Sequence, residues 1–314
     1  MTDLLDHAQL ETALDWDALI AELRNWFIRN AVEAPPRQVL SMPQPDGSEA
    51  SLLIMLAWVP GQSIGVKVVT FFPENAQHGR PTINAGYMLF DGATGQMRAV
   101  MDGDVLTARR TAAASALAAD YLARKDAARL LIVGTGQLSR SLAMAHARQR
   151  DYSEIAIWGR NRDSATHVAQ DLCDAGLPAR ATDTLDAACA SACVISAATA
   201  STKPLIEGRW LQPGTHLDLV GSFREDMRES DDEAVSRARL FVDNHESAAR
   251  SGDLAQPAKA GLIDLMQVEA DLAELCQGRH PGRSSDADIT LFKSAGMSLE
   301  DLAAAELAAR HSTS

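Results

Sequence analysis

Three groups of residues have the types and spacing to do chemistry. The first is the run Leu130-Leu131-Ile132-Val133-Gly134-Thr135-Gly136-Gln137-Leu138-Ser139, an apolar stretch ending in a G-x-G-x-x-S turn. Glycines at its first two positions let the backbone bend tightly and come close to a pyrophosphate, and the helix opening behind them offers amide donors and the positive end of its dipole. In this strand-turn-helix setting the motif predicts a dinucleotide site, with Gly134, Thr135, Gly136, Gln137 and Leu138 at the pyrophosphate. A merely tight structural turn is the competing reading. The second group closes the run Ile155-Ala156-Ile157-Trp158-Gly159-Arg160-Asn161-Arg162. An NAD site would place Asp or Glu here to receive the ribose 2′-hydroxyl. Arg160, Asn161 and Arg162 stand there instead, and two guanidinium groups suit a 2′-phosphate that a carboxylate would repel. NADPH is the expected cofactor, with NADH a poorer donor. The bland alternative is a solvated turn.

The third group is cationic. Lys67 interrupts the apolar run Ile64-Gly65-Val66-Lys67-Val68-Val69-Thr70, and a buried charge without a partner costs several kcal/mol. Arg110 stands at the entry to an Ala-rich helix, and Arg37 follows Pro35-Pro36. Singly, each reads as structural. Together they could clamp a carboxylate, the arginines giving planar two-pronged contacts and the lysine a point charge.

The elements that must position these groups follow from changes of period. Leu10 to Val32 repeats apolar residues at three and four and predicts a helix stopped by Pro35-Pro36. Ser51–Val59, Ile64–Phe72, Thr82–Phe90 and Gln96–Met101 predict strands of an antiparallel sheet, the last two joined through Asp91-Gly92-Ala93-Thr94-Gly95 as a hairpin. Ala112–Ala123 predicts a helix leading out of that sheet. Beyond Lys125, strands are expected at Arg129–Val133, Glu154–Trp158, Ala192–Ser196, His216–Val220 and Leu240–Val242, with helices at Gln137–Arg148 and Ser164–Ala175 between the first of them. Such alternation predicts a parallel sheet covered on both faces. The pattern ends near Ile289, and Leu299–Ala309 predicts an amphipathic helix returning to the first domain. The expected fold class is therefore α/β: a doubly wound parallel sheet of the Rossmann type at 126–289, plus a second α+β domain at 1–125 together with 290–314.

Composition bounds what such a chain can be. Its 314 residues suffice for two cores, and 46% hydrophobic with 23% charged residues exclude disordered and collagenous classes. Against 42 Asp and Glu there are 29 Lys and Arg, a formal charge of -13, so neither nucleic acid nor an acidic membrane is an expected partner. The acidic start MTDLLDHAQLETALDWD and the lack of a long apolar run predict a soluble cytoplasmic protein. Cys173, Cys189, Cys193 and Cys276 are too scattered for a disulfide framework, and no Cys/His cluster supports a metal. They are expected to be reduced core thiols, with Cys189 and Cys193 small apolar neighbours near a helix end.

Four ordered motifs resemble the ornithine cyclodeaminase/mu-crystallin family over nearly the whole chain. They are Gly65-Val66-Lys67-Val68-Val69-Thr70-Phe71-Phe72-Pro73-Glu74-Asn75, Leu106-Thr107-Ala108-Arg109-Arg110-Thr111-Ala112-Ala113-Ala114-Ser115, Val133-Gly134-Thr135-Gly136 and Phe292-Lys293-Ser294-Ala295-Gly296. The resemblance implies a homodimer whose first domain supplies the dimer interface and the substrate pocket, followed by a Rossmann domain. It implies that Arg37, Lys67 and Arg110 hold a substrate carboxylate, with Lys67 and Arg110 at the chemistry. Met55, on the strand beside Lys67, lines that pocket or is plain core. Ala197, Ala198, Val220 and Ser294 are implied to border the nicotinamide half of the cofactor, or to be ordinary packing, and Thr111 to reach its pyrophosphate.

Members of that family differ in chemistry, and the segment His216-Leu217-Asp218-Leu219-Val220-Gly221-Ser222-Phe223-Arg224-Glu225-Asp226-Met227-Arg228-Glu229 separates them. Cyclodeaminases carry a catalytic Asp two residues after the glycine, where this sequence has Phe223. Asp226 could serve only from a different register. The loop looks instead like that of members reducing cyclic imines. The expected activity is NADPH-dependent reduction of Δ1-pyrroline-2-carboxylate and Δ1-piperideine-2-carboxylate to L-proline and L-pipecolate, a step of proline metabolism, with a small cyclic imino acid as partner. The alternatives are an ornithine cyclodeaminase, an alanine dehydrogenase-like enzyme and a mu-crystallin-like NADPH-dependent binding protein. No proton donor is evident from the sequence.

Overall fold

The computed structural model describes residues 2–312, which divide into two compact units, 2–110 with 297–312 and 111–296. The division falls inside a long helix rather than at residue 125, where the change of period placed it.

The first unit carries a six-stranded sheet of β1 (Asp3–Leu5), β2 (Gln38–Pro43), β3 (Glu49–Val59), β4 (Ser63–Phe71), β5 (Ile83–Asp91) and β6 (Met97–Asp102), in the order β1-β6-β5-β4-β3-β2. Five of these strands are antiparallel neighbours, the four expected and β2, which the sequence reading did not include. β1 departs from that expectation by pairing parallel to β6, through Asp3↔Ala99 to Leu5↔Met101. The β5–β6 turn is held by Asp91, whose Oδ1 accepts from the amides of Ala93 and Thr94. The helix expected over Leu10–Val32 is two helices, α1 (His7–Ala13) and α2 (Trp16–Arg29). Asp15 breaks it, because its carboxylate caps α2 by accepting from the amides of Asp17 and Ala18. Nor do the prolines stop α2. It ends at Asn30, which adopts a left-handed conformation, φ 46°, and donates its amide to Trp26 O.

The helix α3 (Gly103–Leu122) starts nine residues earlier than its Ala-rich stretch, and α11 (Ser298–Ser312) packs on α2 and across β3 and β4. Both are buried nearly all round, which is why their apolar residues show little one-sidedness.

The second unit is a doubly wound parallel sheet. Its strands are β7 (Arg129–Val133), β8 (Glu154–Trp158), β9 (Ala179–Ala181), β10 (Val194–Ala197), β11 (His216–Leu219), β12 (Arg239–Val242), β13 (Val268–Asp271) and β14 (Thr290–Lys293), in the order β13-β12-β14-β11-β10-β7-β8-β9. Helices α4 (Gln137–Gln149), α5 (Arg162–Asp174), α6 (Leu185–Ser191), α7 (Asp232–Arg237), α8 (His245–Ala248), α9 (Gly252–Lys259) and α10 (Leu272–Cys276) connect them. Its core strands are apolar without alternation because both faces are covered. In the sequence the strand–helix alternation ends near Ile289, which assigns 290–314 to the first domain, yet β14 lies in the middle of this sheet, between β11 and β12. Its four residues are too few to show a period, and only strand pairing places them.

Among the described residues no helix is long and apolar enough to cross a membrane. All four cysteines are free thiols, but Cys173 is exposed and so is not the core residue expected. Its thiol donates to Ala179 O beside the β9 edge, while Cys189 alone is fully buried.

Candidate active site

The cationic group assembles inside the first unit. Lys67 lies on β4 in a cross-strand row, Met55↔Lys67↔Tyr87↔Met101, whose other members are apolar or aromatic and buried. Its Nζ donates to Asp301 Oδ1 at 2.7 Å and to Thr107 Oγ1 at 3.4 Å. Arg110, on α3, donates from Nε to the same Asp301 oxygen at 2.8 Å and from an Nη to Glu300 Oε2 at 2.6 Å. Both acids sit on α11 and are fully buried.

Neither acid was foreseen. In sequence they stand at the start of an otherwise Ala- and Leu-rich helix, where acids ordinarily complement the helix dipole from solvent. The available signal was their place on a helix with no polar face to spare.

Burial and the neighbouring Arg110 charge push the Lys67 ammonium down to about 8 against the opposing pull of Asp301, and the Arg37 charge lowers it further. Arg37 is therefore near enough to act on the same group. Asp301 is held below the usual carboxylate range by Arg110 and Lys67 despite its burial. Within the buried cluster, Lys67 and Arg110 set two positive charges against the two negative charges of Asp301 and Glu300. Arg109, the neighbouring arginine, is turned elsewhere, stacking on Trp16 at 4.2 Å and bonding to Glu11. Met55 is buried beside Lys67 in the same row.

The second constellation lies in the second unit, at the carboxyl ends of β7, β8 and β10. A cleft of about 660 Å³ is lined by Gly134, Thr135, Gly136, Arg160, Asn161 and Ala198 together with Trp158, Thr199 and Ser201. Gly134 adopts φ +130° and a Cβ there would lie 2.6 Å from Ala198 O, so no other residue fits the turn. Gly136 caps α4 and has no side chain to give its first-turn amides an acceptor, and a Cβ on it would meet nothing within 4 Å. The turn thus presents the amides of Gln137 and Leu138 to open space, which fits a pyrophosphate.

The other residues singled out in the sequence are spread along this sheet. Asn161 caps α5, its Oδ1 accepting from the Ser164 amide at 3.0 Å. Arg160 reaches the cleft wall, whereas Arg162 pairs with Asp183 at 2.7 Å on the surface. Ala197 and Val220 are buried and joined by the bond from Val220 N to Ala197 O, 2.8 Å. Ser294 is buried at the end of β14, its amide donating to Leu219 O at 3.0 Å and its hydroxyl to Asp243 Oδ2 at 3.3 Å. Thr111 is buried at the start of the unit. Asp226 is exposed and locked by Arg224 through bonds of 2.8 and 2.5 Å, so it does not stand in for the carboxylate absent at Phe223.

These features match a known family. The Ornithine cyclodeaminase/mu-crystallin family profile fits residues 2–312. This chain belongs to that family. The Δ1-pyrroline-2-carboxylate reductase of Paracoccus denitrificans is 36% identical to it over 291 residues, 90% of this chain and 92% of that one. Among solved structures, Thermococcus litoralis Δ1-pyrroline-2-carboxylate reductase in complex with NADH and L-proline has a TM-score of 0.94 at 31% identity, covering 99% of this chain and 98% of that one. An archaeal alanine dehydrogenase dimer with bound NAD has a TM-score of 0.92 at 28% identity, with 99% and 96% covered. The fold class read from the sequence, a Rossmann sheet with a second α+β domain, is the fold of these family members.

Proposed function

We propose that this protein is an NADPH-dependent reductase of cyclic imino acids, converting Δ1-pyrroline-2-carboxylate and Δ1-piperideine-2-carboxylate to L-proline and L-pipecolate. The carrying observation is the buried pair of cations Lys67 and Arg110, held side by side by Asp301 and Glu300, with the half-buried Arg37 charge acting on Lys67. An α-carboxylate is the group such preset cations suit, the guanidinium by two-pronged contact and the ammonium as a point charge.

Gly134, Thr135, Gly136 and Arg160 would hold a reduced nicotinamide dinucleotide in the cleft of the second unit, and such a cofactor would supply a hydride for the C=N carbon. The chain's own residues do the rest. Asp301 and Glu300 fix the Arg110 guanidinium and Lys67 ammonium in place before the substrate arrives, so little ordering entropy is lost when its carboxylate is taken. Lys67 also answers the want of a proton donor. Its ammonium is acidic enough, at about 8, to give a proton to the ring nitrogen from Nζ. Once that proton has passed, the lysine is neutral and no longer repels the iminium it has made. Arg160 is the group that would meet a 2′-phosphate, and its preference for NADPH over NADH is part of the proposal.

The protein acts as a homodimer in this reading. The sheet face opposite Lys67 is apolar yet only half-buried in the single chain, with Leu56 and Trp58 on β3 paired to Val66 and Ile64 on β4, and Met88 and Phe90 beyond them on β5. An apolar face this broad is expected to be covered by a second copy.

The test is NADPH oxidation by the purified protein with both cyclic imines, pyruvate plus ammonia, and ornithine in parallel. Fast turnover on the imines is expected. Faster oxidation with pyruvate and ammonia, ammonia release from ornithine without net NADPH loss, or tight NADPH binding with no turnover would each replace the proposal with one of its rivals.

A further inference from the structure

A buried carboxylate at the edge of the dinucleotide cleft has no part in the chemistry above. Glu229 is fully buried, in the segment between β11 and α7. Its Oε1 accepts from the Thr199 amide at 2.7 Å and from the Thr199 hydroxyl at 2.9 Å, and its Oε2 accepts from the Gly221 amide at 2.7 Å. Thr199 and Gly221 each stand two residues beyond strands that pair through Ala197↔Leu219. The carboxylate thus bridges β10 and β11 where their own ladder has ended. Only a carboxylate can accept on both oxygens, since an amide side chain would present a donor to one of the two backbone N–H groups.

The surroundings are built to keep it there. A Cβ at Gly221 would fall 2.1 Å from Thr199 O and 2.6 Å from Glu229 Oε1, so nothing larger than glycine admits this approach. The Glu229 amide donates to Asp253 Oδ1 at 2.8 Å. Lys293, itself fully buried, lies 3.5 Å from Asp253 Oδ2 and donates to Leu219 O at 2.9 Å. Two buried acids and one buried lysine are an expensive way to tie loops, and they are gathered at the carboxyl edge of the sheet, where open α/β folds take their ligands. The loop so tied is Ala198–Ser201, one wall of the cleft, packed through Ala198 O against the Gly134 turn on the other side.

We infer that Glu229 is a positioning residue for the dinucleotide, holding the Ala198–Ser201 wall at the distance from Gly134–Gly136 that the cofactor needs. It touches no ligand itself. The inference rests on the dinucleotide reading of the cleft. Trp158, which lines the cleft, reports binding without turnover, because a bound reduced nicotinamide quenches its emission.

The experiment is titration of wild type, Glu229→Gln, Thr199→Ala and Val168→Ala with NADPH and with NADH by tryptophan quenching, each with a melting curve. Thr199→Ala removes the hydroxyl bond to Glu229 and leaves both backbone bonds in place. Val168, buried on α5, is a packing control. Dissociation constants about tenfold weaker for Glu229→Gln and about threefold weaker for Thr199→Ala are expected, with Val168→Ala unchanged although its melting temperature falls. Should Glu229→Gln bind as tightly as wild type, or should Val168→Ala weaken binding in step with its lost stability, the positioning role is overturned. Should Glu229→Gln fail to fold, Thr199→Ala alone decides the matter by the same comparison. Failure of wild type to bind either dinucleotide would overturn the underlying reading instead.

Discussion

Lys67→Met separates the cost of the site from its use. In the folded protein the Lys67 ammonium is brought from 10.5 to about 8, first by burial and then by Arg110, with Asp301 only partly offsetting them. That fall converts to about 3 kcal/mol by which folding disfavours the charged lysine. Because the folded-state value lies below the unfolded one, the unfolded chain binds more protons between about pH 8 and about pH 10.5. The cost is therefore present in full below that window, and stability recovers as pH rises through it. Methionine keeps the apolar stem in the Met55–Tyr87 row and removes the ammonium.

The variant is expected to be more stable than wild type near neutral pH by up to about 3 kcal/mol, at about 2–4 °C of melting temperature per kcal/mol for a protein of this size. The advantage shrinks toward zero as the pH of the measurement is raised through the same window. In parallel, kcat/KM for the cyclic imino acids is expected to fall by about 100-fold or more. Melting curves at several pH values and steady-state kinetics test both halves. A variant that melts below wild type at neutral pH, or whose advantage persists unchanged in alkali, would show that Asp301 outweighs burial and refute the charge account.

Other outcomes follow from the same geometry. Arg160→Ala should raise the KM for NADPH about tenfold, about 1.4 kcal/mol, while leaving that for NADH within twofold, and Arg162→Ala should do less because Asp183 already holds that guanidinium. Tyr87→Phe removes a buried hydroxyl that has no hydrogen-bond partner among the described residues and should stabilise the protein by about 1 kcal/mol in urea or thermal unfolding. Leu56→Glu, on the half-buried face of the first sheet, should yield a monomer in sedimentation, and a dimer of wild-type mass would rule that face out as the interface.

The buried acids connect stability to function in a second way. Arg110 takes one contact from each of two neighbouring residues of α11, Glu300 and Asp301, so its plane is set by a single element. Removing either acid would leave a buried guanidinium short of a partner, a defect costing several kcal/mol. Substitutions at positions 300 and 301 are therefore expected to harm folding before they report on catalysis. Arg110 and Lys67 are better probes.

What the sequence determined by itself was local. The G-x-G-x-x-S turn at 134–139, the strand-ending Arg160 and the lone Lys67 in an apolar strand can each be recognised from a dozen neighbouring residues, because backbone freedom, dipole and desolvation act over that range. What only the tertiary structure decided was pairing over distance. Lys67 finds its counter-charge 234 residues away in Asp301, and Arg110 finds Glu300 across 190. The place of β14 between β11 and β12, the parallel β1 and the Glu229 bridge from Thr199 to Gly221 are of the same kind. A run of four residues or a single acid carries no periodicity. Its partner is chosen by which surfaces the packed sheets bring within hydrogen-bond reach.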